Sequence, residues 1–385
     1  MNILFVTEDH SIRNYGITSV VSQLANELVH HDPNVRIVIV TTAGEPVAQD
    51  ESIPIETIQP SLLWASWRWK STLKEELNSI IQRYEIDIIH IHGVWMAIQL
   101  IALSIAKQTG VPCLISAHGM LEPWLWSEQN LFKKQKKELY FSGLFKTTIT
   151  ESSFFHAITP TEKENLQKLL PAQRIVVIPN AINVNEEKTY EDTGRGIAPE
   201  KTILFLGRLH PKKGVDLLVN AFCRANLTSE WRLLLVGPES VHQYVNKIKA
   251  DVSNMGLSDR VEFTGPIYGE KKQELIRKSW VMITPSYSEV VGMVNLEAAA
   301  CKVPSITTYE TGLWDWEEGG GMLVHPKVDE ITNALVEASQ WSIVERLSRG
   351  EKSQKLVQEK YSWNAVIPQW LKIYSEITTV GVLNE

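Results

Sequence analysis

The chain has 385 residues, of which 44% are hydrophobic and 22% charged, a composition that excludes a wholly disordered, collagen-like or coiled-coil protein. At about 150 residues per domain, this length predicts two or three domains. Lysine and arginine number 38 and aspartate and glutamate 45, giving a net charge of −7. Because nucleic-acid-binding proteins carry a basic excess, we expect no nucleic-acid partner.

Cysteine usage and the length of apolar runs predict the cellular compartment of the protein. The three cysteines, Cys113, Cys223 and Cys301, are too few and too widely spaced for a disulfide framework or a zinc site, so we expect reduced thiols. The longest apolar run, residues 94–106, is shorter than the roughly 20 residues that span a bilayer. The amino terminus lacks the basic segment of a signal peptide. These features predict a cytoplasmic protein.

The first half of the chain alternates short apolar runs with longer amphipathic segments. Strands are predicted at residues 3–7, 36–41, 86–92, 112–117, 156–159 and 174–179. Helices are predicted at residues 17–31, 72–84, 96–109, 133–145 and 161–169. Strands that alternate with helices indicate βαβ units on a parallel sheet.

The second half repeats this pattern after a polar, glycine-containing linker at residues 185–196. Strands are predicted at residues 203–206, 231–236, 261–264, 281–284, 304–307 and 322–324. Helices are predicted at residues 215–224, 241–254, 271–279, 294–300 and 329–339, with two more in 343–377 and Ser362 as the N-cap of the last.

This pattern predicts the α/β fold class, with two doubly wound, Rossmann-like domains. The predicted domains are residues 1–184 and 185–361, followed by a helical segment at 362–385. Ligands of doubly wound sheets bind outside the carboxyl ends of the strands. With two such domains facing each other, we expect a ligand in the cleft between them.

A basic turn follows the first strand of the second half. Gly207 ends the strand, and Arg208 and Lys213 flank the entrance of the next helix. A helix amino terminus carries partial positive charge and free N–H groups, so it favours phosphate. An arginine fork and a lysine charge beside it would hold a diphosphate and stabilise a departing phosphate. A solvated basic turn is the alternative that this segment alone leaves open.

Two glutamates lie eight positions apart at a later strand–loop–helix junction. Glu289 falls in the loop and Glu297 one turn into the helix. Gly292 between them lets the backbone pass close to a ligand. A carboxylate can accept two hydrogen bonds from a vicinal diol such as a ribose. A carboxylate at a helix amino terminus and an exposed helix face are the alternative interpretations of Glu289 and Glu297.

Taken together and in this order, the basic turn and the glutamate pair resemble the group 1 retaining glycosyltransferases (glycosyltransferase family 4), including those of bacterial polysaccharide and lipopolysaccharide biosynthesis. Residues 298–304, an alanine-rich helix before a proline-headed strand, match the family's continuation. Lys302 departs from the family, which usually has glycine there, and so does Asn180-Ala181, where Asn-Gly is usual. The resemblance covers nearly the whole chain and implies the GT-B fold, with the last helix crossing back to the first domain.

The resemblance assigns functions to residues of both halves. It implies His118, Arg208, Lys213 and Glu289 as catalytic residues. It implies a donor site formed by Gly16, Gly207, Arg208, Lys213, Pro266, Ile267, Glu289, Val290, Gly292, Met293, Val294 and Glu297. His92, Trp95 and Trp124 are the candidate acceptor-binding residues. The first domain would thus bind the acceptor and the second the nucleotide sugar.

The implied reaction moves a sugar from a nucleotide-diphosphate sugar to a hydroxyl acceptor with retention of the anomeric configuration. Glu297 would hold the ribose, Glu289 a hydroxyl of the donor sugar, and His118 the sugar ring. The chain contains no Asp-x-Asp metal motif, so neither a metal ion nor a cofactor is expected. The resemblance implies a growing surface glycan as acceptor, whereas the donor sugar, the base, the particular acceptor and the linkage are not predicted.

Tryptophan is frequent, with 13 in the chain, and six lie within residues 64–126. Residues 62–70 and 124–137 combine tryptophan with lysine or arginine. Aromatic belts and basic helices are typical of a surface that binds anionic lipid. We therefore consider a lipid-linked glycan acceptor and a peripheral position on the inner face of the membrane. Core or sugar-stacking tryptophans beside a solvated lysine face are the alternative.

Several other functions are compatible with a two-domain α/β protein. No G-x-G-x-x-G follows a strand, which argues against a nicotinamide dehydrogenase. No G-x-x-x-x-G-K occurs, which argues against a P-loop NTPase. A non-hydrolysing sugar-nucleotide epimerase is the nearest enzyme alternative. A non-catalytic sugar-nucleotide-binding partner is the main non-enzyme alternative.

Overall fold

A computed structural model describes residues 1–11, 15–43, 52–61, 67–126, 131–151, 153–184 and 199–382. The chain divides into two compact units. Unit 1 comprises Met1–Pro179 and Val366–Glu385, and unit 2 comprises Asn180–Ala365. The predicted linker, residues 185–196, lies outside the described residues.

Unit 1 is built on a seven-stranded sheet in the order β3-β2-β1-β4-β5-β6-β7, with every pair parallel. Its strands are β1 Asn2–Val6, β2 Arg36–Thr41, β3 Ile55–Thr57, β4 Ile88–His92, β5 Cys113–Ser116, β6 Ser153–Ala157 and β7 Arg174–Val177. Its helices are α1 Tyr15–His31, α2 Leu73–Arg83, α3 Ala97–Thr109, α4 Leu131–Tyr140, α5 Lys146–Thr148 and α6 Pro160–Leu169.

Unit 2 has a six-stranded parallel sheet in the order β10-β9-β8-β11-β12-β13. Its strands are β8 Glu200–Leu206, β9 Arg232–Val236, β10 Val261–Gly265, β11 Ser279–Thr284, β12 Ser305–Thr308 and β13 Met322–Val324. Its helices are α7 Val215–Ala225, α8 His242–Asn254, α9 Gly269–Lys278, α10 Met293–Ala300, α11 Val328–Gln340 and α12 Ile343–Lys360. The last helix, α13 Trp363–Val382, belongs to unit 1 from Val366 onward.

Continuous apolar runs explain the strands, because helices on both faces of a parallel sheet bury both faces of each strand. All five residues of β4 are buried, and so are all four of β5. The amphipathic helices bury one stripe each; in α7 this stripe includes Val215, Leu218, Val219 and Phe222. Each unit therefore has its own hydrophobic core around its sheet.

A chain of side-chain hydrogen bonds crosses the middle of the unit 1 sheet and reaches α13. His156 Nε2 lies 2.7 Å from the carbonyl oxygen of Ile178, and His156 Nδ1 lies 2.8 Å from Ser116 Oγ. Ser116 Oγ is also 2.8 Å from His90 Nε2, and His90 Nδ1 is 2.8 Å from the Tyr374 hydroxyl. All five residues are buried, so this polar chain docks α13 on strands β4, β5 and β6.

The carbonyl oxygen at one end of this series of hydrogen bonds fixes the position of every proton in the series. A carbonyl oxygen can only accept, so His156 carries its proton on Nε2 and accepts from the Ser116 hydroxyl at Nδ1. The Ser116 hydroxyl then accepts from His90 Nε2, and the Tyr374 hydroxyl donates to His90 Nδ1. Burial lowers the pKa of His156 to about 4 and holds the pKa of His90 well below its usual range, so both rings are neutral.

Several predicted bounds are wrong. The strand predicted at 156–159 is β6, Ser153–Ala157, because its register is set by pairing with β5 from Cys113 onward. The helix predicted at 133–145 ends at Tyr140, and a π-helical turn, Phe141–Phe145, follows it. Strand β3 was not predicted, since it has only three residues and lies at the sheet edge.

The tryptophans considered for a membrane surface pack inward where they are described. Trp67, Trp69, Trp95 and Trp126 lie partly buried against the core of unit 1, whereas Trp64 lies outside the described residues. The Trp67 indole N–H also donates to the carbonyl oxygen of Trp95 at 3.3 Å. These contacts favour the core interpretation of the four side chains. Each helix in the described ranges is too short or too polar to cross a bilayer.

Candidate active site

Two loops of unit 2 meet at the carboxyl edge of its sheet. Strands β8 and β11 are parallel neighbours, so the segments that follow them emerge side by side. The loop after β11 hydrogen-bonds to the basic turn, because the Tyr287 N–H donates to the carbonyl oxygen of Lys212 at 2.9 Å. The structure thus brings together the two motifs that lie about 80 residues apart in the sequence.

The central contact of the site is an ion pair. Lys213 Nζ lies 2.8 Å from Glu289 Oε2, and the two side chains are only 20% and 12% exposed. The Ser286 hydroxyl donates to the other oxygen, Glu289 Oε1. Both carboxylate oxygens are therefore engaged, which fixes the rotamer of Glu289 and the position of the lysine charge. Arg208, five residues before Lys213, is exposed on the same turn.

Gly214 is required for this close approach. Its φ is +64°, and a Cβ there would lie 2.1 Å from the carbonyl oxygen of Pro285 in the loop after β11. Gly214 is also the residue before the first turn of α7. The basic turn and the glutamate loop can therefore touch only if this position has no side chain.

We expect Gly214→Ala to destabilise unit 2 by about 1–2 kcal/mol for the left-handed backbone and a further 1–3 kcal/mol for the clash. Gly256→Ala is the matched control, because Gly256 has a φ of +69° and no atom within 4 Å of a Cβ position. Urea unfolding of both variants separates the two contributions. Equal losses in the two variants would contradict the close-approach argument.

Glu297 is also paired, by a lysine that sequence analysis missed. Lys272 on α9 lies 3.0 Å from Glu297 Oε1 and 2.9 Å from Glu297 Oε2. Nothing in the local sequence signals this contact, because the two residues are 25 positions apart on different helices. The pair turns the Glu297 carboxylate toward α9. Its predicted contact with a ribose stays a prediction.

The backbone between the two glutamates is held by the loop after β12. The Glu289 N–H donates to the carbonyl oxygen of Glu310 at 2.8 Å, and the Gly292 N–H donates to that of Thr311 at 3.0 Å. A Cβ on Gly292 would lie 2.4 Å from Asn295 Nδ2. Val290, Met293 and Val294, also predicted in the donor site, belong to this segment and the first turn of α10.

The predicted base-contact residues follow β10 at the same edge of the sheet. Pro266 is exposed, and Ile267 packs partly buried against apolar residues of unit 2. Gly265 before them has a φ of +72° and accepts a hydrogen bond from the Gly237 N–H at 3.0 Å. Gly237 follows β9 and could not carry a Cβ, which would lie 1.9 Å from the carbonyl oxygen of Gly207. The four segments that follow β8, β9, β10 and β11 thus gather at one edge.

In unit 1, His118 follows β5 and contacts His92 at the end of β4. His118 Nε2 lies 3.0 Å from His92 Nδ1, and the two rings stack with centroids 5.3 Å apart. Burial lowers the pKa of His118 to about 3, so the ring is neutral at pH 7. His92 itself is buried. Its predicted acceptor contact stays a prediction, and its observed contact is with His118.

The other predicted residues of unit 1 have varied surroundings. The Trp95 indole N–H donates to the carbonyl oxygen of Met120 at 3.0 Å, and its ring contacts Trp126 at 5.8 Å. Gly16 is exposed in the first turn of α1. Trp124 belongs to a short 3₁₀ turn, and its side chain lies outside the described residues. The described residues hold no group of three or more His, Cys, Asp or Glu placed to bind a metal ion.

Comparison with known proteins agrees with this architecture. The family model described as Glycosyltransferase Family 4 matches residues 15–186, and that described as Glycosyl transferases group 1 matches residues 191–359. An uncharacterised glycosyltransferase of Methanocaldococcus jannaschii is 25% identical over 396 residues, covering 97% of this chain and 98% of that protein.

Solved structures share the whole fold. Sucrose-phosphate synthase from Thermosynechococcus elongatus superposes with a TM-score of 0.77 at 19% identity, covering 99% of this chain and 100% of that one. An Anabaena protein in complex with UDP-glucose superposes with a TM-score of 0.71 at 19% identity, covering 98% and 100%. At such identities the likeness concerns the fold.

Two parallel-sheet α/β units with these matches define a two-domain glycosyltransferase of the GT-B fold. The predicted fold class is confirmed. The chain belongs to the group 1 glycosyltransferases of the family 4 type, as the motifs around Arg208 and Glu289 predict.

Proposed function

We propose that the protein transfers a sugar from a uridine-diphosphate sugar to a hydroxyl acceptor, with retention and without a metal ion. The observation that carries this proposal is the Lys213–Glu289 ion pair, 2.8 Å long, beside the exposed Arg208 at the carboxyl ends of β8 and β11. It places two cations next to a helix amino terminus, where a diphosphate is best stabilised. The Anabaena neighbour in complex with UDP-glucose supports the choice of uridine.

The bond from the anomeric carbon to the phosphate oxygen breaks, and a bond from that carbon to the acceptor oxygen forms on the same face. The acceptor proton passes to the departing phosphate oxygen, so nucleoside diphosphate is the second product. Arg208 and Lys213 offset the charge that builds on this phosphate. Glu289 holds a hydroxyl of the donor sugar, Glu297 holds the ribose, and His118 positions the sugar ring.

We propose a glycan as acceptor, carried on a lipid at the inner face of the membrane. Support comes from an exposed surface on α4 and the π-helical turn after it. Leu139 is 75% exposed and Leu144 48% exposed, and Lys136 and Lys137 lie on the same helix. Apolar side chains beside lysines suit an anionic lipid surface. Co-sedimentation with vesicles tests this: binding to neither anionic nor neutral vesicles would remove the membrane part of the proposal.

The donor site is tested by a thermal-shift panel of UDP, GDP, ADP and their glucose conjugates. A ligand at about 100 times its Kd stabilises the protein by roughly 2.7 kcal/mol, which raises Tm visibly. We expect UDP and UDP-glucose to raise Tm. In Arg208→Ala the rise with UDP, whose terminal phosphate carries the extra charge, should fall more than the rise with UDP-glucose. If no nucleotide raised Tm, the proposed donor site would be wrong.

Nucleotide release separates the proposed transferase from its rivals. A transferase releases UDP in proportion to acceptor hydroxyl supplied, whereas an epimerase changes the sugar nucleotide without an acceptor. A non-catalytic binding partner does neither. The anomeric coupling constant of the product, measured by NMR, then tests retention.

A further inference from the structure

The turn that carries His118 has a backbone that needs outside support. His118 has a φ of +51° and Gly119 a φ of +73°. Glycine adopts this left-handed conformation freely, but histidine does so at a cost. Such a residue persists only where the surrounding structure holds it in place. The surroundings of this turn therefore contain the groups that keep His118 where it is.

A buried glutamate supplies that support. Glu162 on α6 is 2% exposed, and its Oε1 accepts a hydrogen bond from the Gly119 N–H at 2.7 Å. Its Oε2 accepts from the Ile158 N–H at 2.7 Å. One carboxylate thus joins the turn after β5 to the segment after β6. Each oxygen has one short bond to a backbone N–H.

The position of Glu162 is itself fixed by the start of α6. Thr159 is the N-cap, and its hydroxyl accepts from the Glu162 N–H at 3.2 Å. Pro160 occupies the first helical position, where its fixed φ suits a helix. The carboxylate is therefore presented from a rigid first turn. The sequence Thr-Pro-Thr-Glu has the spacing of a capping box, which was the available signal for this residue.

Placing a carboxylate here is costly. Burial raises the pKa of Glu162 to about 7, although both backbone N–H bonds favour the ionised form. The nearby Glu122 adds a like charge that raises it further. Glu122 is bound separately, accepting from Asn165 Nδ2 at 2.8 Å. A group that only filled space at this point would be apolar, so the carboxylate is explained by the two N–H groups it holds.

We propose that Glu162 is a positioning residue for the transfer reaction, which locks the His118–Gly119 turn so that the His118 ring stays fixed at the end of β5. This rests on the proposed function, which gives His118 its contact with the sugar ring. The His118 ring is also held by His92, because His92 Nδ1 lies 3.0 Å from His118 Nε2. Glu162 fixes the backbone and His92 fixes the imidazole.

The test replaces Glu162 by Gln and, in a second variant, by Asp. A Gln amide can accept only one of the two N–H bonds, and an Asp carboxylate is one methylene shorter. Glu122→Gln is the matched control, because it changes a neighbouring carboxylate that accepts from Asn165 Nδ2, and the Glu122 backbone is retained. For each variant, kcat and donor KM are measured well below its Tm. The amide proton of Gly119 is followed by NMR in glycine-labelled protein.

We expect Glu162→Gln and Glu162→Asp to move the Gly119 amide proton upfield and to lower kcat on the order of 10²-fold with donor KM nearly unchanged. Glu122→Gln should change neither. Wild-type kcat in a folded Glu162→Gln variant would overturn the proposal, and so would an equal loss in Glu122→Gln. If the wild type bound no nucleotide and transferred no sugar, the proposed function would fail, while the Gly119 signal would still report whether Glu162 holds the turn.

Discussion

Replacing Arg208 by alanine is expected to remove roughly 2–4 kcal/mol of transition-state stabilisation, comparable to the loss of one oxyanion donor. The exposed guanidinium follows β8 on the turn that ends in the Lys213–Glu289 pair. A charge placed there acts on the departing phosphate more than on the bound donor, so kcat should fall much more than KM rises. Initial rates of UDP release with acceptor present measure both.

Lys213→Ala should lower kcat by a similar factor. It should also remove the ion pair of Glu289. This carboxylate is 12% exposed and would lose its cation, 2.8 Å away. If Arg208 and Lys213 hold one diphosphate, the double variant loses less than the sum of the single losses. Lys212→Ala is the matched control, because the Lys212 backbone carbonyl, which holds the Tyr287 N–H, is retained.

Full turnover in Arg208→Ala would contradict the phosphate assignment. A strictly additive double variant would show that the two cations act on separate groups. A loss in Lys212→Ala equal to that in Lys213→Ala would show that the turn needs positive charge in general, without a specific ion pair.

Lowering the pH from 6.5 toward 4 is expected to destabilise unit 1, because its buried histidines are neutral in the folded protein. Burial lowers the pKa of His156 to about 4 from an ordinary 6.5. Between these values the unfolded chain binds a proton that the folded chain does not, so stability is present above pH 6.5 and is lost as the pH falls toward 4. In this window each such histidine lowers the free energy of unfolding by about 1.4 kcal/mol per pH unit. His90 and His92, also held well below the usual pKa, add to the loss.

Urea unfolding at several pH values between 7.5 and 4.5 measures this slope. His156→Gln should reduce it by one histidine's share, although the variant starts from a lower stability. His242→Gln is the control, because the His242 side chain is 84% exposed and should leave the slope unchanged. A flat stability profile from pH 6.5 to 4.5 in the wild type would contradict the assignment of neutral buried rings.

The sequence predicts strands best where an apolar run is bounded by polar residues. The predicted bounds of β2, Arg36–Thr41, and β13, Met322–Val324, are those of the structure. The sequence predicts a start of β6 that is three residues too late, because the start at Ser153 is set by the neighbouring Cys113 and not by the strand's own sequence. Such pairing is tertiary information that hydrophobic periodicity does not contain.

The candidate site is likewise predicted from the sequence only in part. Motif order predicts that the turn with Lys213 and the loop with Glu289 serve one site, because both follow parallel strands. It does not predict that their side chains bond to each other, which depends on β8 and β11 being neighbours. Lys272 and Glu162 were missed because their partners, Glu297 and Gly119, lie 25 and 43 positions away.

Because α13 belongs to unit 1, this unit is complete only at the end of translation. The seven strands of this unit are translated by Val177, but the Tyr374 hydroxyl that donates to His90 Nδ1 comes only after all of unit 2. At about 5–20 residues per second, the ribosome needs roughly 10–40 s to cover that distance. During this interval His90 Nδ1 lacks the hydroxyl that donates to it in the finished protein. Unit 2, whose residues are contiguous, is the part of the chain able to complete its fold first.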